Sequence, residues 1–511
     1  MQLIKRTNLK LILVVVFVAA FYLTRLSGLG YDNINPDSVN WHFRSEQFMN
    51  GLKFSQWEKT YQHYQPGVTF MWIMGPSVEL VKQFYPGHEV YSIESFPAFH
   101  FFSKFMLVNV QLVLTLTIFW LLQKFVDWRV AGLAILLFTF EPFFIGNSRA
   151  LHMDALLTLL LFVGLLCSFW SLKKFDWRVS ALAGIFFGLA FLTKSIGIGS
   201  FLFAAGVGGL YLWFRESPRM GLRYAASILI PSVLTILIFL PALWVDPGHV
   251  IEKIYYEGVL EIGLEEGHGQ IFFGEETRDP GAPFYPLVLA LKSSPVLLLG
   301  LGFYVFSLLK RGVWRIRKLN ITSYLAIFYL GYFVVMTIVS KKLDRYILPE
   351  YPFLALLAAQ GYFEFKRYSK FVLPVLAAIF ILWPALTLYP YYFTYTNPLF
   401  GSPQYVHENI LAQKPFGLGV FELRDYIYEN FGEDVRIGLI DPKPFFHIHD
   451  KDKLKYLRID GTSSYEVLVL GVNEEMPGRI YESEYDFNYY GSIYINGLEY
   501  WKVYARSAEK K

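Results

Sequence analysis

Apolar residues fall in long runs, separated by short basic connections on one side and longer polar ones on the other, and the runs recur from residue 11 to residue 389. A helix needs about 20 mostly apolar residues to cross ~30 Å of hydrocarbon. On that measure the pattern predicts eleven spanning helices, near residues 9–27, 101–123, 130–146, 154–172, 179–193, 196–214, 222–244, 286–309, 321–340, 346–363 and 371–389. The fifth is short, so the count lies between about ten and thirteen. Lys5, Arg6 and Lys10 precede the first run as they would in a signal peptide. No small-x-small cleavage site follows it, which favours an uncleaved anchor.

Beyond residue 394 the periodicity changes. "FGLGVFELRDYIYENFG" at 416–432 has helical spacing and ends at Gly432. "VRIGLI", "YEVLVLGV" and the pair "GSIYI" and "LEYWKVYAR" read as strands, the last two joined in a hairpin at Asn496-Gly497. The expected fold is a polytopic α-helical membrane domain over 1–394, with large outer loops at 28–100 and 245–285, followed by a small soluble α/β domain over 395–511.

Composition agrees with that division. The chain is 54% hydrophobic and 17% charged, where an ordinary soluble domain carries about 25% charge. From Tyr395 onward 13 Lys and Arg stand against 18 Asp and Glu, leaving 33 against 24 before it. A basic membrane part therefore precedes an acidic tail. Lys and Arg beside helix ends stay cytoplasmic. With the N-terminus inside, the inner loops read "QKFVDWR", "KKFDWR", "FRESPRMGLR", "KRGVWRIRK" and "EFKRYSK", all basic. The intervening connections and the tail then face outward, which fits a multi-pass protein of the plasma or inner membrane. The single Cys167 lies in an apolar run, so there is no internal disulfide and the residue reads as packing. Nothing resembles a nucleic-acid module. "HIHD" at 447–450 reads as incidental rather than metal-binding.

The outer connections carry ionisable groups at similar depth. Asp37 and Arg44 come from the first loop, with "TYQHYQPGVTFMW" and its His63 following. Arg149, His152 and Asp154 come from "EPFFIGNSRALHMDALL", and Lys194 from "FLTKSIG". His268 lies in "EEGHGQIFFGEETRDPGAPFYP", and Lys341, Lys342 and Arg345 in "SKKLDRYILPEYP". Such groups usually line a watery cavity, because facing lipid costs several kcal/mol. Each also has a plain structural reading: an Arg149–Asp154 pair, lysines reaching lipid headgroups, a loop histidine at 268, or Asp37 as a helix cap in "NPDS".

Taken together, the cations outnumber the carboxylates, so the expected ligand is an anion at the membrane surface. A polyprenyl phosphate or pyrophosphate suits the place. Arg and Lys hold phosphate through charge-assisted hydrogen bonds and stabilise it as a leaving group. Asp37 is then suited to be the general base that activates the attacking acceptor.

These motifs resemble the GT-C membrane glycosyltransferases, in the lipid-carrier-dependent family that includes protein O-mannosyltransferases and the aminoarabinose transferase of lipid A. The resemblance rests on Asp37 soon after the first helix, "QHYQPGVTFMW", "NSRALHMDALL", "FLTKSIGI", "GHGQIFFG…PGAPFYPLVLALKSSP" and "SKKLDRYILPEYPFLALL". It implies transfer of a sugar from a polyprenyl-phosphate donor to a protein, lipid or glycan acceptor. Asp37 would be the base; Arg149, Lys194, Lys341, Lys342 and Arg345 would hold the donor phosphate, with His63 and His268 approaching the same cavity. The family's acidic motif is often Asp-Glu, whereas Ser38 stands second here. Some relatives place a divalent metal nearby, but "EEGH" has no second partner set and no metal site is assigned. The rival class is a transporter or flippase for a lipid-linked anion. Transporters tend to carry internal repeats and interrupted helices, and the chain shows no repeat.

Overall fold

The computed structural model describes residues 2–509 apart from 88–90, 93, 266–268, 312–318, 366–371, 414–415, 447–453, 461–463 and 482–484. His268 and the "HIHD" stretch therefore lie outside the described residues. The chain is a multi-pass membrane protein with a C-terminal sheet domain. Its helices are α1 (Gln2–Leu26), α2 (Pro36–Lys53), α3 (Val68–Phe84), α4 (Phe96–Leu122), α5 (Trp128–Thr139), α6 (Pro142–Arg149), α7 (Asp154–Lys173) and α8 (Trp177–Thr193). After these come α9 (Ser195–Arg215), α10 (Pro218–Phe239), α11 (Phe284–Lys292), α12 (Pro295–Arg311), α13 (Ile321–Ile338), α14 (Tyr351–Glu364) and α15 (Val372–Phe380).

Among the described residues, five helices are long and apolar enough to cross a membrane, and up to eight spans result if each of three bent pairs counts as one. α7 is apolar on every face and 94% buried along its apolar stretch, so the other helices surround it. In α10 only 22% is buried, which leaves most of its surface for lipid.

Two expected spans are not straight, and a third bends where it ends. α5 and α6 meet at 64°, where the sequence reading ran 130–146 through as one helix. α11 and α12 meet at 115° inside the expected 286–309 helix, and the expected 371–389 helix turns by 114° into Tyr392–Phe400. Proline explains the first two: Pro142 and Pro295 lack an N–H and hold the preceding residue out of the helical region. The two breaks are joined through a side chain. Glu141 accepts from the Ser294 N–H at 2.6 Å and from Ser294 Oγ at 2.9 Å, which ties one break to the other.

The loop over 28–100 is also more ordered than its polar reading suggested, since it carries α2 and α3. The 245–285 connection adds a hairpin of β1 (Gln270–Phe272) and β2 (Glu275–Thr277). In the tail, α16 (Val420–Phe431) packs on a five-stranded sheet of β3 (Val435–Leu439), β4 (Leu454–Arg458), β5 (Val467–Gly471), β6 (Tyr485–Ile495) and β7 (Leu498–Glu509). The strand order is β4-β3-β5-β7-β6, parallel about β3 and antiparallel about β7. Asn496 and Gly497 both have positive φ, 49° and 80°, as a two-residue hairpin turn requires. β4 was not read from the sequence. The sheet domain shares a core with the first loop, where Ile34, Val78, Phe96 and Phe99 join Val420, Leu423 and Trp501.

Candidate active site

Between the first loop, α7, α8 and the 340–346 segment lies a cavity of ≈ 350 Å³. Its polar lining includes Asp37, Arg44, His63, Lys194, Lys341 and Arg345, with His152, Asn35, Tyr64 and Gln65 beside them.

α2 sets the first wall. Asn35, not Asp37, is its N-cap: the Asn35 side chain accepts the Ser38 N–H at 2.8 Å. Asp37 therefore sits in the first turn without a capping bond to make, where the helix dipole favours its charge. Asp37, Trp41 and Arg44 follow one another at i, i+4 and i+7, which is one helical face. The Arg44 guanidinium lies over the Trp41 ring at 4.7 Å. The rest of "NWHFRSEQF" is used elsewhere: His42 bonds His100 at 2.9 Å, and Glu46 pairs with Lys82 at 3.6 Å.

"QHYQPG" makes the second wall. His63 stacks on Tyr64 with ring centres 3.9 Å apart, and Gln65 Oε1 accepts from Ser195 Oγ at 3.1 Å. Gly67 has φ +61°, and a Cβ there would meet the Trp41 ring at 2.2 Å. Only glycine lets this turn close against α2.

The floor is Asp154, at the start of α7. Its Oδ1 accepts from Lys194 Nζ at 2.7 Å, and its Oδ2 lies 2.8 Å from His152 Nδ1 and 3.2 Å from Arg345 Nε. Lys194 caps the C-terminus of α8, where a cation is favoured, and sits 3.7 Å over the Tyr346 ring. His152 Nε2 and Arg345 Nη2 also lie near Asp37 Oδ2, at 3.7 and 3.9 Å. The two carboxylates differ in one respect that decides their use. The Asp154 side chain is 2% exposed and enclosed by cations, while that of Asp37 is 55% exposed toward the cavity.

The electrostatics follow. The His152 ring 3.7 Å away, then the charges of Arg345 and Arg44, hold the Asp37 carboxyl well below the usual range despite partial burial. Burial, with the Arg44 charge, lowers His63 to about 4, so it is neutral at physiological pH. Burial raises Tyr64 to about 12.

Not every candidate is brought here. Lys341 lines the cavity, but its neighbour Lys342 is buried and donates to Asp279 at 2.7 Å and to the Val339 carbonyl at 2.8 Å. Arg149 lies behind the site. It donates to Asp32 at 2.9 Å and to the carbonyls of Thr24 and Ser27 at 2.8 and 2.9 Å. Arg149 and Asp154 thus pair with other groups rather than with each other. Phe416, from the tail, also lines the cavity and takes the Arg345 guanidinium over its ring at 5.7 Å. It is held by antiparallel pairing of Leu418 with Asn33 and by the Ile34 N–H bond to the Gly417 carbonyl at 3.1 Å. Among the described residues there is no cluster of three or more His, Cys, Asp or Glu suited to a metal ion.

Residues 85–246 match the family model described as dolichyl-phosphate-mannose-protein mannosyltransferase. No curated protein matches the chain. Among solved structures the chain is similar to ArnT from Cupriavidus metallidurans bound to undecaprenyl phosphate, at 17% identity and TM-score 0.47, over 68% of this chain and 60% of that one. It is also similar to the archaeal oligosaccharyltransferase AglB from Archaeoglobus fulgidus in complex with an inhibitory peptide and a dolichol-phosphate, at 13% identity and TM-score 0.45, over 91% and 70% of the two chains. The family-model match is the finding that bears on class. It supports the lipid-carrier-dependent glycosyltransferases that the motifs resemble, over less than half of the chain. Arg149, Asp154 and Lys194 fall inside the matched segment; Asp37 and residues 341–345 fall outside it.

Proposed function

We propose that this chain is a membrane glycosyltransferase that moves a sugar from a polyprenyl-phosphate donor to an acceptor on the extracytoplasmic side. The observation that carries the reading is a cavity in which one accessible carboxylate, Asp37, stands among Arg44, Lys194, Lys341 and Arg345. The matching family model adds a lipid-phosphate sugar donor by its own description.

In this reading the cavity cations hold the donor phosphate and stabilise the charge that grows as it leaves. Asp37 takes the proton of the attacking acceptor hydroxyl or amine. Arg149 and Lys342 support the walls rather than touch the donor. The N-terminus is cytoplasmic, and the tail, from residue 395, is extracytoplasmic and covers the site. A transporter or flippase for a lipid-linked anion would also use the cations, and bent helices occur in that class too. It has no need of Asp37 as a base.

The test is transfer of labelled sugar by purified, reconstituted protein from a panel of polyprenyl-phosphate sugars. Transfer to an acceptor, or slow release of free sugar without one, supports the reading. Movement of the intact donor across the bilayer, with no cleavage, would overturn it.

A further inference from the structure

A second hollow lies on the far side of the membrane domain from Asp37. A groove of ≈ 350 Å³ runs between α1, α4, α5 and α15. Among the described residues its lining is apolar except for Lys10. Lys10 is in the first half of α1, whose other end meets Arg149: the carbonyls of Thr24 and Ser27 accept from that guanidinium. The charged end of the groove therefore faces the membrane surface opposite the Asp37 cavity.

Its dimensions suit a lipid chain. Along α1 the lining runs from Lys10 to Ala20, about 15 Å of helix, which is half of a hydrocarbon core of ~30 Å. Spread over that length, the volume leaves a channel roughly 5 Å across, too narrow for a second helix about 10 Å wide. The groove is open sideways, since Leu13, Val16, Val375 and Ile379 are exposed. Apolar space open to a bilayer fills with hydrocarbon.

The head end separates this groove from ordinary lipid contact. Lys10 Nζ lies 5.2 Å over the Trp128 ring, and the Arg129 guanidinium lies 5.8 Å from the same ring centre. Trp beside Lys and Arg marks headgroup depth, where lysine extends its ammonium toward phosphate. No carboxylate lines the groove among the described residues. Asp127, next in sequence, accepts the Arg129 N–H at 2.9 Å as the cap of α5.

We propose that this groove binds an anionic phospholipid of the leaflet opposite the Asp37 cavity. One acyl chain lies between α1 and α5, and the anionic head sits at Lys10 and Arg129. Such a lipid fastens α1 to the helices behind it. It is distinct from the proposed donor lipid, whose phosphate belongs at the other membrane face.

The experiment counts lipid retained by the full-length protein in native mass spectra, with phosphatidylglycerol and phosphatidylcholine of identical chains as probes. Wild type should keep one phosphatidylglycerol per chain, preferred by roughly 10- to 30-fold, the size expected of two basic groups at a lipid surface. Gly132 lines the groove, and a Cβ there would meet only Phe119, at 3.9 Å. Gly132→Leu therefore plugs the groove without a backbone clash, and leucine is the better helix former. That variant should lose the retained lipid, and added phosphatidylglycerol should raise the unfolding temperature of wild type but not of the variant. The double variant Lys10→Gln, Arg129→Gln should still hold a lipid but prefer neither head by more than about twofold. Equal retention of the two lipids by wild type, or retention unchanged in Gly132→Leu, overturns the proposal. So does a tighter hold on a polyprenyl phosphate, which would make the groove part of the donor's path. None of these readouts depends on sugar transfer, so the lipid site and the transferase reading stand or fall separately.

Discussion

Two buried charge clusters lie near each other in this molecule and are built from the same residue types. In one, Asp32 receives Lys104 at 2.7 Å and Arg149 at 2.9 Å. Lys104 also donates to Asn33, whose carbonyl accepts from His100, and His100 bonds His42. In the other, Asp154 accepts a hydrogen bond from Lys194 and lies within ion-pair distance of His152 and Arg345. The first is closed: Asp32, Lys104 and Arg149 are all under 5% exposed and bonded within the protein. The second opens, through His152 and Arg345, onto an accessible Asp37 and a cavity. Charge in a membrane protein marks either a lock or a site, and the difference is whether any group is left facing a space that a ligand can fill. Burying ions costs several kcal/mol each, which only close pairing offsets.

The comparison breaks most visibly at Arg149. Arg149→Ala would leave Asp32 with one cation fewer and two backbone carbonyls without their donor, costing about 3–5 kcal/mol. The expected outcome is a large loss of thermal stability, measured by unfolding in detergent. Normal stability with lost donor use would move Arg149 from lock to site. Arg345→Ala should behave in the opposite way. Its exposed edge faces the cavity, so kcat/KM for the donor should fall by roughly 10- to 100-fold, or about 1.4–2.8 kcal/mol, with a smaller change in unfolding temperature.

Gly417 sharpens the comparison at the contact that sets the acidic loop. Its φ is +63°, and a Cβ would meet the Ile34 carbonyl oxygen at 2.0 Å. Gly417→Ala should cost about 1–3 kcal/mol in strain and reduce transfer several-fold, because residues 33–35 lead directly into α2. Undiminished transfer would show that the tail does not position Asp37.

The smallest effect is expected at His63. It is held at about 4, below an ordinary histidine near 6.5, so acidification protonates the unfolded chain first. Stability is then lost as the pH falls from about 6.5 toward 4. His63→Gln should remove that loss and leave the rate profile between about pH 5 and 8 unchanged. A shifted profile would give His63 a part in the chemistry.

Much of this arrangement was legible from residue types and spacing. The spacing of Asp37, Trp41 and Arg44 already places them on one helical face, and "QHYQPG" marks a turn by its Pro-Gly pair. Other features depend on partners far along the chain. Adjacent Lys341 and Lys342 are equivalent in sequence, and Asp279, 63 positions away, draws the second one aside. Hydropathy runs straight through Glu141-Pro142 and Ser294-Pro295 because both flanks are apolar. The prolines hint at the breaks, while the Glu141–Ser294 bond that joins them is not a local signal. "NPDS" promised a cap at Asp37. Backbone geometry gave the cap to Asn35. Phe416 carried no sign of a site, since its place depends on the tail folding back onto the first loop.

Asp37 is where the account is most exposed. Asn is nearly isosteric with Asp, and the helix cap belongs to Asn35, so Asp37→Asn should fold as wild type does. The decisive measurement is donor binding and sugar transfer side by side for the Asp37→Asn protein, using the polyprenyl-phosphate sugar that wild type accepts. The account predicts donor binding within a few-fold of wild type and transfer slowed by ~10²–10⁴-fold. Transfer at close to the wild-type rate would contradict it, and would leave the cavity as a binding site without its base.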